Sequence, residues 1–157
     1  QTQEDISTFS KKISLGKKAL TSNDLMIIAR IESLILGKGL ADSLKRADSY
    51  LGSGADGIMI HSKSKSPQEV INFARKFKKK YPKAPLVAVP TSYNKTFEKQ
   101  LINEGFNIVI YANHLLRASY PSMSEVALEI LKNKRTYEVE KKLLSINEIL
   151  KLIPGTI

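Results

Sequence analysis

Arg30 and Glu32 stand two residues apart at the end of an apolar run, Asp24-Leu-Met-Ile-Ile-Ala-Arg-Ile-Glu32. In an extended chain residues i and i+2 share a face. The two charges therefore lie together with Ile28, while Ile27, Ala29 and Ile31 cover the opposite side. Opposite charges at the end of a buried strand are costly to desolvate unless they meet each other or a charged ligand. The pattern thus reads as a structural ion pair or as a ligand site. A second apolar run, Gly57-Ile-Met-Ile-His61, delivers an imidazole to the same relative place. Leu86-Val-Ala-Val-Pro90 leads into Thr91 and Ser92, and Asn107-Ile-Val-Ile-Tyr111 leads into Asn113 and His114. All four runs carry their polar residues at the C-terminal end, which is where parallel α/β folds collect their chemistry. That coincidence favours ligand contact for Arg30 and His61. Thr91, Asn113 and His114 read as bracing residues, and Ser62 fits either role. Neither histidine has a recognisable serine–aspartate partner, and the glycine pairs at 37/39 and 52/54 lack the spacing of a phosphate loop.

The elements that must position these groups alternate regularly. Ile6, Phe9 and Ile13 give an amphipathic helix over 2–18, with Thr2 as its start signal. A turn through Thr21-Ser-Asn-Asp24 precedes the first strand. Leu40, Leu44, Ala47 and Leu51 form the buried stripe of the next helix. Ser66-Pro-Gln-Glu69 opens a third, which uses Val70, Ile71, Ala74 and Phe77. Further helices are expected over 96–104 and 122–133, and Ser145-Ile-Asn-Glu148 is a capping box before a last one ending near Pro154. Short apolar strands alternating with amphipathic helices predict a parallel sheet covered by helices. Four βα units are half of an eight-stranded barrel, which typically needs about 250 residues. The chain therefore reads either as an open four-stranded sheet or as the C-terminal half of a larger barrel, with residues 1–157 one segment and no second domain.

Composition narrows the class. The 157 residues are 42% hydrophobic and 25% charged, a globular balance. No apolar run approaches the roughly 20 residues of a membrane span, and Gln1–Lys18 has no signal-peptide core, so no membrane partner and a cytoplasmic location are expected. Without cysteine, thiolate metal sites and thiol catalysis are excluded. The net charge of +10 raises a nucleic-acid reading. However, the lysines cluster near the ends of expected helices, where the helix dipole favours them. A basic α/β binding module remains the non-enzyme alternative.

Four segments in order, Ile28-Ala-Arg-Ile-Glu-Ser33, Gly54-Ala-Asp-Gly-Ile-Met-Ile-His-Ser-Lys63, Val89-Pro-Thr-Ser-Tyr93 and Val109-Ile-Tyr-Ala-Asn-His114, resemble phosphoenolpyruvate mutase. The wider group is the isocitrate lyase/phosphoenolpyruvate mutase superfamily, and the likeness runs from about Gln1 to about Leu152. The resemblance implies a (β/α)8 barrel of which this chain supplies strands five to eight. It implies an isomerase interconverting phosphoenolpyruvate and phosphonopyruvate through a metaphosphate-like species and a magnesium-held enolate. Phosphonopyruvate hydrolase and carbon–carbon lyases of the superfamily are the alternatives. By position, Arg30 matches the arginine that binds the phosphoryl or phosphonyl group, and His61 matches its histidine partner. Glu32, Ser62, Thr91 and Asn113 take supporting places. The Mg²⁺ ligands are expected in the N-terminal half of the barrel, so no metal ligand is assigned here and this chain alone is expected to be inactive. The expected partners are that half-barrel and further copies, as a dimer or tetramer that exchanges the helix near Ser122–Asn133.

Overall fold

The computed structural model describes residues 2–22, 24–153 and 155. Gln1–Ala112 and Asn113–Ile157 form two compact units. In the first, α1 (Ile6–Lys18) precedes β1 (Ile28–Ile31), α2 (Gly39–Gly52), β2 (Gly57–Ile60), α3 (Gln68–Lys80), β3 (Leu86–Ala88), α4 (Glu98–Asn103) and β4 (Ile108–Val109). The four strands are parallel and neighbour one another in chain order. Parallel neighbours require crossovers, and these are right-handed almost without exception. A sequential order therefore sends every crossover helix to the same face. A doubly wound sheet reverses its order at a switch point; this sheet does not, and its winding is that of a barrel wall. The expected α/β half-barrel of four βα units is the observed fold.

The alternation along β1 separates the two faces. Ala29 and Ile31 are buried and Arg30 between them is exposed. With Ile58, Ile60, Leu86 and Ala88 they meet Ala47, Tyr50, Phe73, Phe77 and Leu101 in one core under the helices. Burying a large apolar side chain of this kind stabilises by about 1.5–3 kcal/mol. The other face carries Ile28, Arg30 and Met59, and it continues to Ile108 and Ile110, which are 43% and 36% exposed. It is the inward face of a barrel wall.

Several elements differ from the sequence expectations for identifiable reasons. α1 starts at Ile6 because Asp5, not Thr2, is the cap, accepting the N–H groups of Ser7 and Thr8 at 2.8 and 3.0 Å. The first strand is confined to Ile28–Ile31, where β2 offers a ladder. In α2 the fully packed stripe is Ser43, Arg46, Ala47 and Tyr50, and the three leucines pack beside it. Arg46 is admitted because Asp42, Tyr50 and the Glu4 carbonyl satisfy its guanidinium. In α3 Phe73 takes the core position expected for Ile71. Gly37 and Gly39 have φ of 70° and 78°, left-handed values that suit glycine in the tight turn before α2. Asn23 and Pro154, expected in a turn and at a helix end, lie outside the described residues.

In the second unit α5 (His114–Asn133) begins eight residues before the expected Ser122. Arg117 N–H already bonds Asn113 O at 2.9 Å, and Pro121 lies within the helix rather than before it. His114 is thus the first residue of α5 rather than a brace on a strand. A short 3-10 turn at Glu140–Lys142 precedes α6 (Ile146–Lys151), whose Ser145–Glu148 capping box forms as expected. None of the described residues of α5 is buried, and Leu115 and Leu116 are 87% and 70% exposed. Basic residues close α1, α3, α5 and α6, where the dipole favours them.

Gly57 marks the tightest approach in the sheet. A Cβ there would lie 2.6 Å from the Pro85 carbonyl oxygen and 2.9 Å from Ile28 Cδ1. Gly57→Ala is expected to lower unfolding stability by about 1–3 kcal/mol. Gly52→Ala, with nothing within 4 Å, should be neutral or slightly stabilising. Urea unfolding of both variants checks this, and equal effects would remove the close-approach argument.

Candidate active site

β1 and β2 carry the site between them. Ile31 pairs with Ile60 in the parallel ladder, so one step on Glu32 stands opposite His61. Arg30 pairs with Met59 on the same uncovered face. Arg30 donates its Nε–H to Glu32 Oε1. The arginine side chain is 48% exposed and the glutamate 14%. The guanidinium therefore spends one donor on Glu32 and keeps much of its surface open to the barrel side. Glu32 Oε2 and His61 Nδ1 are both buried, and neither has a hydrogen-bond partner among the described residues. Buried polar atoms without partners are costly, and two of them on the residues flanking an exposed cation mark a place where a ligand or its waters complete the bonding.

Burial pushes the His61 imidazole below its ordinary value; the Arg30 charge pushes it further down, and Glu32 opposes both. The imidazole is therefore neutral at neutral pH while no anion is bound. Linkage couples this shift to stability. A histidine whose folded pKa lies below its unfolded 6.5 contributes stability that is present above that pH. The contribution is lost as pH falls through the lower folded value.

Ser62 is fully buried. It donates to Glu69 Oε2 at 2.5 Å and accepts the Ser64 N–H at 3.0 Å. Thr91 follows β3 half-buried, its N–H on the Val89 carbonyl at 2.8 Å. Asn113 is the N-cap position of α5 in the second unit, with no side-chain capping bond. The electrostatic cluster thus comprises Arg30, Glu32 and His61.

Two further groups have no counterpart in the sequence reading. Tyr93 is completely buried with its hydroxyl unpartnered, and burial drives it up to about 12, which the nearby Val89 backbone only partly offsets. Its place in Val89-Pro-Thr-Ser-Tyr93, just past a strand end, was the available signal. Ser33 Oγ donates to Asp42 at 2.6 Å, and Asp42 accepts from the buried Arg46 at 3.0 Å. Ser33 also accepts from Gln3 at 3.2 Å, which ties the segment before α1 to this end of β1. A small cavity of about 160 Å³ lies between that segment and Arg30 and Glu32.

The described residues contain no group of three histidine, aspartate or glutamate side chains able to hold a metal ion. The one carboxylate in the cluster is already engaged by a guanidinium. These residues do not fit a magnesium site.

The model of the phosphoenolpyruvate phosphomutase family matches residues 1–131. The chain belongs to that family. It is 35% identical over 147 residues to the phosphoenolpyruvate phosphomutase of Tetrahymena pyriformis, covering 94% of this chain and 48% of that protein. It is 38% identical over 149 residues to the phosphonopyruvate hydrolase of Variovorax sp. (strain Pal2), covering 94% of this chain and 50% of the hydrolase. The crystal structure of a phosphoenolpyruvate phosphomutase from Streptomyces platensis subsp. rosaceus superposes with a TM-score of 0.89 at 36% identity, over 97% of this chain and 52% of that one. A phosphonopyruvate hydrolase complexed with oxalate and Mg²⁺ gives 0.85 at 37%, covering 97% and 53%. The chain therefore spans about half the length of the relatives it matches. No described helix is long and apolar enough to cross a membrane.

The electrostatic geometry predicts an NMR titration independent of any activity. The chain has two histidines, so the His61 signal is readily assigned. Its midpoint should fall below 6.5, rise in Arg30→Ala and fall further in Glu32→Gln. A midpoint at or above the ordinary value, or shifts of the same sign in both variants, would break up the cluster.

Proposed function

We propose that the whole protein of which these residues form a half-barrel interconverts phosphoenolpyruvate and phosphonopyruvate. The observation that carries this reading is the exposed Arg30 guanidinium with the His61 imidazole on the neighbouring strand, its buried Nδ1 without a partner, on the inward face of the sheet. In the direction of cleavage, the phosphorus–carbon bond breaks and its electron pair stays on the pyruvyl fragment as an enolate. The phosphoryl group passes as a loose, metaphosphate-like unit to the enolate oxygen, where the new phosphorus–oxygen bond forms. No atom enters or leaves.

Such a transition state asks the protein for position and positive potential rather than for a covalent partner. Arg30 supplies a charge that cannot be discharged, in a planar fork suited to two oxygens of one anion. Glu32 holds that fork in place. His61 is neutral before binding; a phosphonate dianion beside it opposes the Arg30 charge and favours the protonated ring. The imidazole then becomes a second donor to the same group. Thr91 and Ser62 support the strand ends, and Asn113 stands at the start of α5.

Hydrolysis of phosphonopyruvate is the second reading, favoured by the 38% identity to a phosphonopyruvate hydrolase. There water takes the phosphoryl unit and the enolate takes a proton, giving phosphate and pyruvate. Both reactions use the same grip on the phosphonyl group. We further propose that the other barrel wall, with any Mg²⁺ ligands, lies outside residues 1–157, and that the apolar surface of α5 is covered by exchange between subunits. The exposure of Ile108, Ile110, Leu115 and Leu116 supports both.

Phosphorus NMR of the full-length protein with phosphonopyruvate should show phosphoenolpyruvate appearing. Free phosphate instead would select the hydrolase, and neither product would overturn the reading. Arg30→Ala should lower turnover by on the order of 10³-fold or more, as expected for a transition-state charge contact, while leaving the circular dichroism spectrum intact. Near-normal turnover in that variant would remove Arg30 from the site.

A further inference from the structure

The loop that carries His61 away from β2 is held by a bond from a buried hydroxyl to a surface carboxylate. Ser62 directly follows the imidazole and is completely buried. Its hydroxyl reaches forward to Glu69 in the first turn of α3 at 2.5 Å and takes the Ser64 N–H at 3.0 Å. Glu69 forms no ion pair among the described residues, so its carboxylate is held by this hydroxyl at a helix N-terminus, where negative charge is favoured. The same device recurs on the neighbouring strand. Ser33 directly follows Glu32, is completely buried, and donates at 2.6 Å to Asp42 in the first turn of α2. In both loops a site residue is followed at once by a buried serine that is tied to the next helix through a carboxylate.

Packing alone does not require this arrangement. Burying a serine hydroxyl costs desolvation that an apolar side chain of equal volume avoids. What it adds is direction, since a charge-assisted hydrogen bond is short and geometrically demanding. Residues 61–64 have neither helix nor strand to fix them, and the imidazole turns with the backbone they set.

We propose that Glu69 is a positioning residue that acts through Ser62 to fix the orientation of His61, with Ser33 and Asp42 as the counterpart for Glu32. The proposal rests on the phosphonate-binding reading of the site, and its test separates the two. Ser62→Ala, Glu69→Ala and Glu69→Gln are made in the full-length protein. Val70→Ala, in the same turn and fully buried, serves as a packing control. Turnover of phosphonopyruvate and the NMR titration midpoint of His61 are read together, the His61 signal being assigned by its loss in His61→Gln.

Ser62→Ala and Glu69→Ala should each lower kcat by roughly 10- to 100-fold, the cost of a misplaced catalytic group, and should move the His61 midpoint. Glu69→Gln, whose amide oxygen still accepts the serine proton, should recover both. Val70→Ala should lower Tm and leave the midpoint in place. If Glu69→Ala does not fold, Ser62→Ala decides. A Ser62→Ala protein with wild-type midpoint and turnover overturns the proposal, as does a Val70→Ala midpoint shift equal to that of Ser62→Ala. If the parent protein turns over no carbon–phosphorus substrate, the midpoint shift alone decides for the clamp, and the functional reading fails separately.

Discussion

A guanidinium cannot shed its charge, and every other feature of this site follows from where the sheet places Arg30. It stands on the inward face of β1, bonded to Glu32 through one nitrogen and half open. A fully enclosed ion pair would consume both charges. An arginine with no partner would swing freely. The observed state lies between, with enough restraint to orient the fork and enough exposure to receive an anion. His61, one strand away, loses its proton more readily chiefly through burial, and that charge adds to the effect. Arrival of a phosphonate or phosphate group would relieve this tension, because it answers the uncompensated positive potential and offers acceptors to a buried imidazole.

The one-sided sheet explains why that potential is available. Sequential parallel order sends the helices to a single face and leaves the other for a second wall. On the helix side the strand residues are buried in one core. On the inward side Ile108 and Ile110 remain exposed in this chain. A site built on such a face draws its precision from rigid strand ends, and its enclosure must come from whatever completes the barrel. The match over nearly all of this chain to about half of each related structure agrees with that geometry.

Much of this could be read from residue order because the determining interactions are local. Alternation along 28–31 assigned the faces of β1, and the position of His61 after four apolar residues put it level with Glu32 once the strands paired in register. Other features depended on contacts across the chain. Arg46 looks like a surface residue of α2 until Asp42, Tyr50 and the distant Glu4 carbonyl are seen to satisfy it. The start of α5 was hidden by Pro121, which signals a helix opening yet here sits inside one. Glu69 fits a capping role by spacing, and only the folded loop shows its carboxylate turned to Ser62 instead. The burial of the Tyr93 hydroxyl likewise has no signature in composition.

Whether Arg30 and His61 act on one anion is addressed most directly by a double-mutant cycle. With kcat/KM for phosphonopyruvate measured in the full-length protein, Arg30→Ala, His61→Ala and the double variant are compared. Two groups gripping the same phosphonyl unit should show strong non-additivity, with the double variant losing little more than the worse single one and an interaction of about 0.5–3 kcal/mol. Losses that simply multiply would place the two side chains on separate tasks and contradict the shared-anion site.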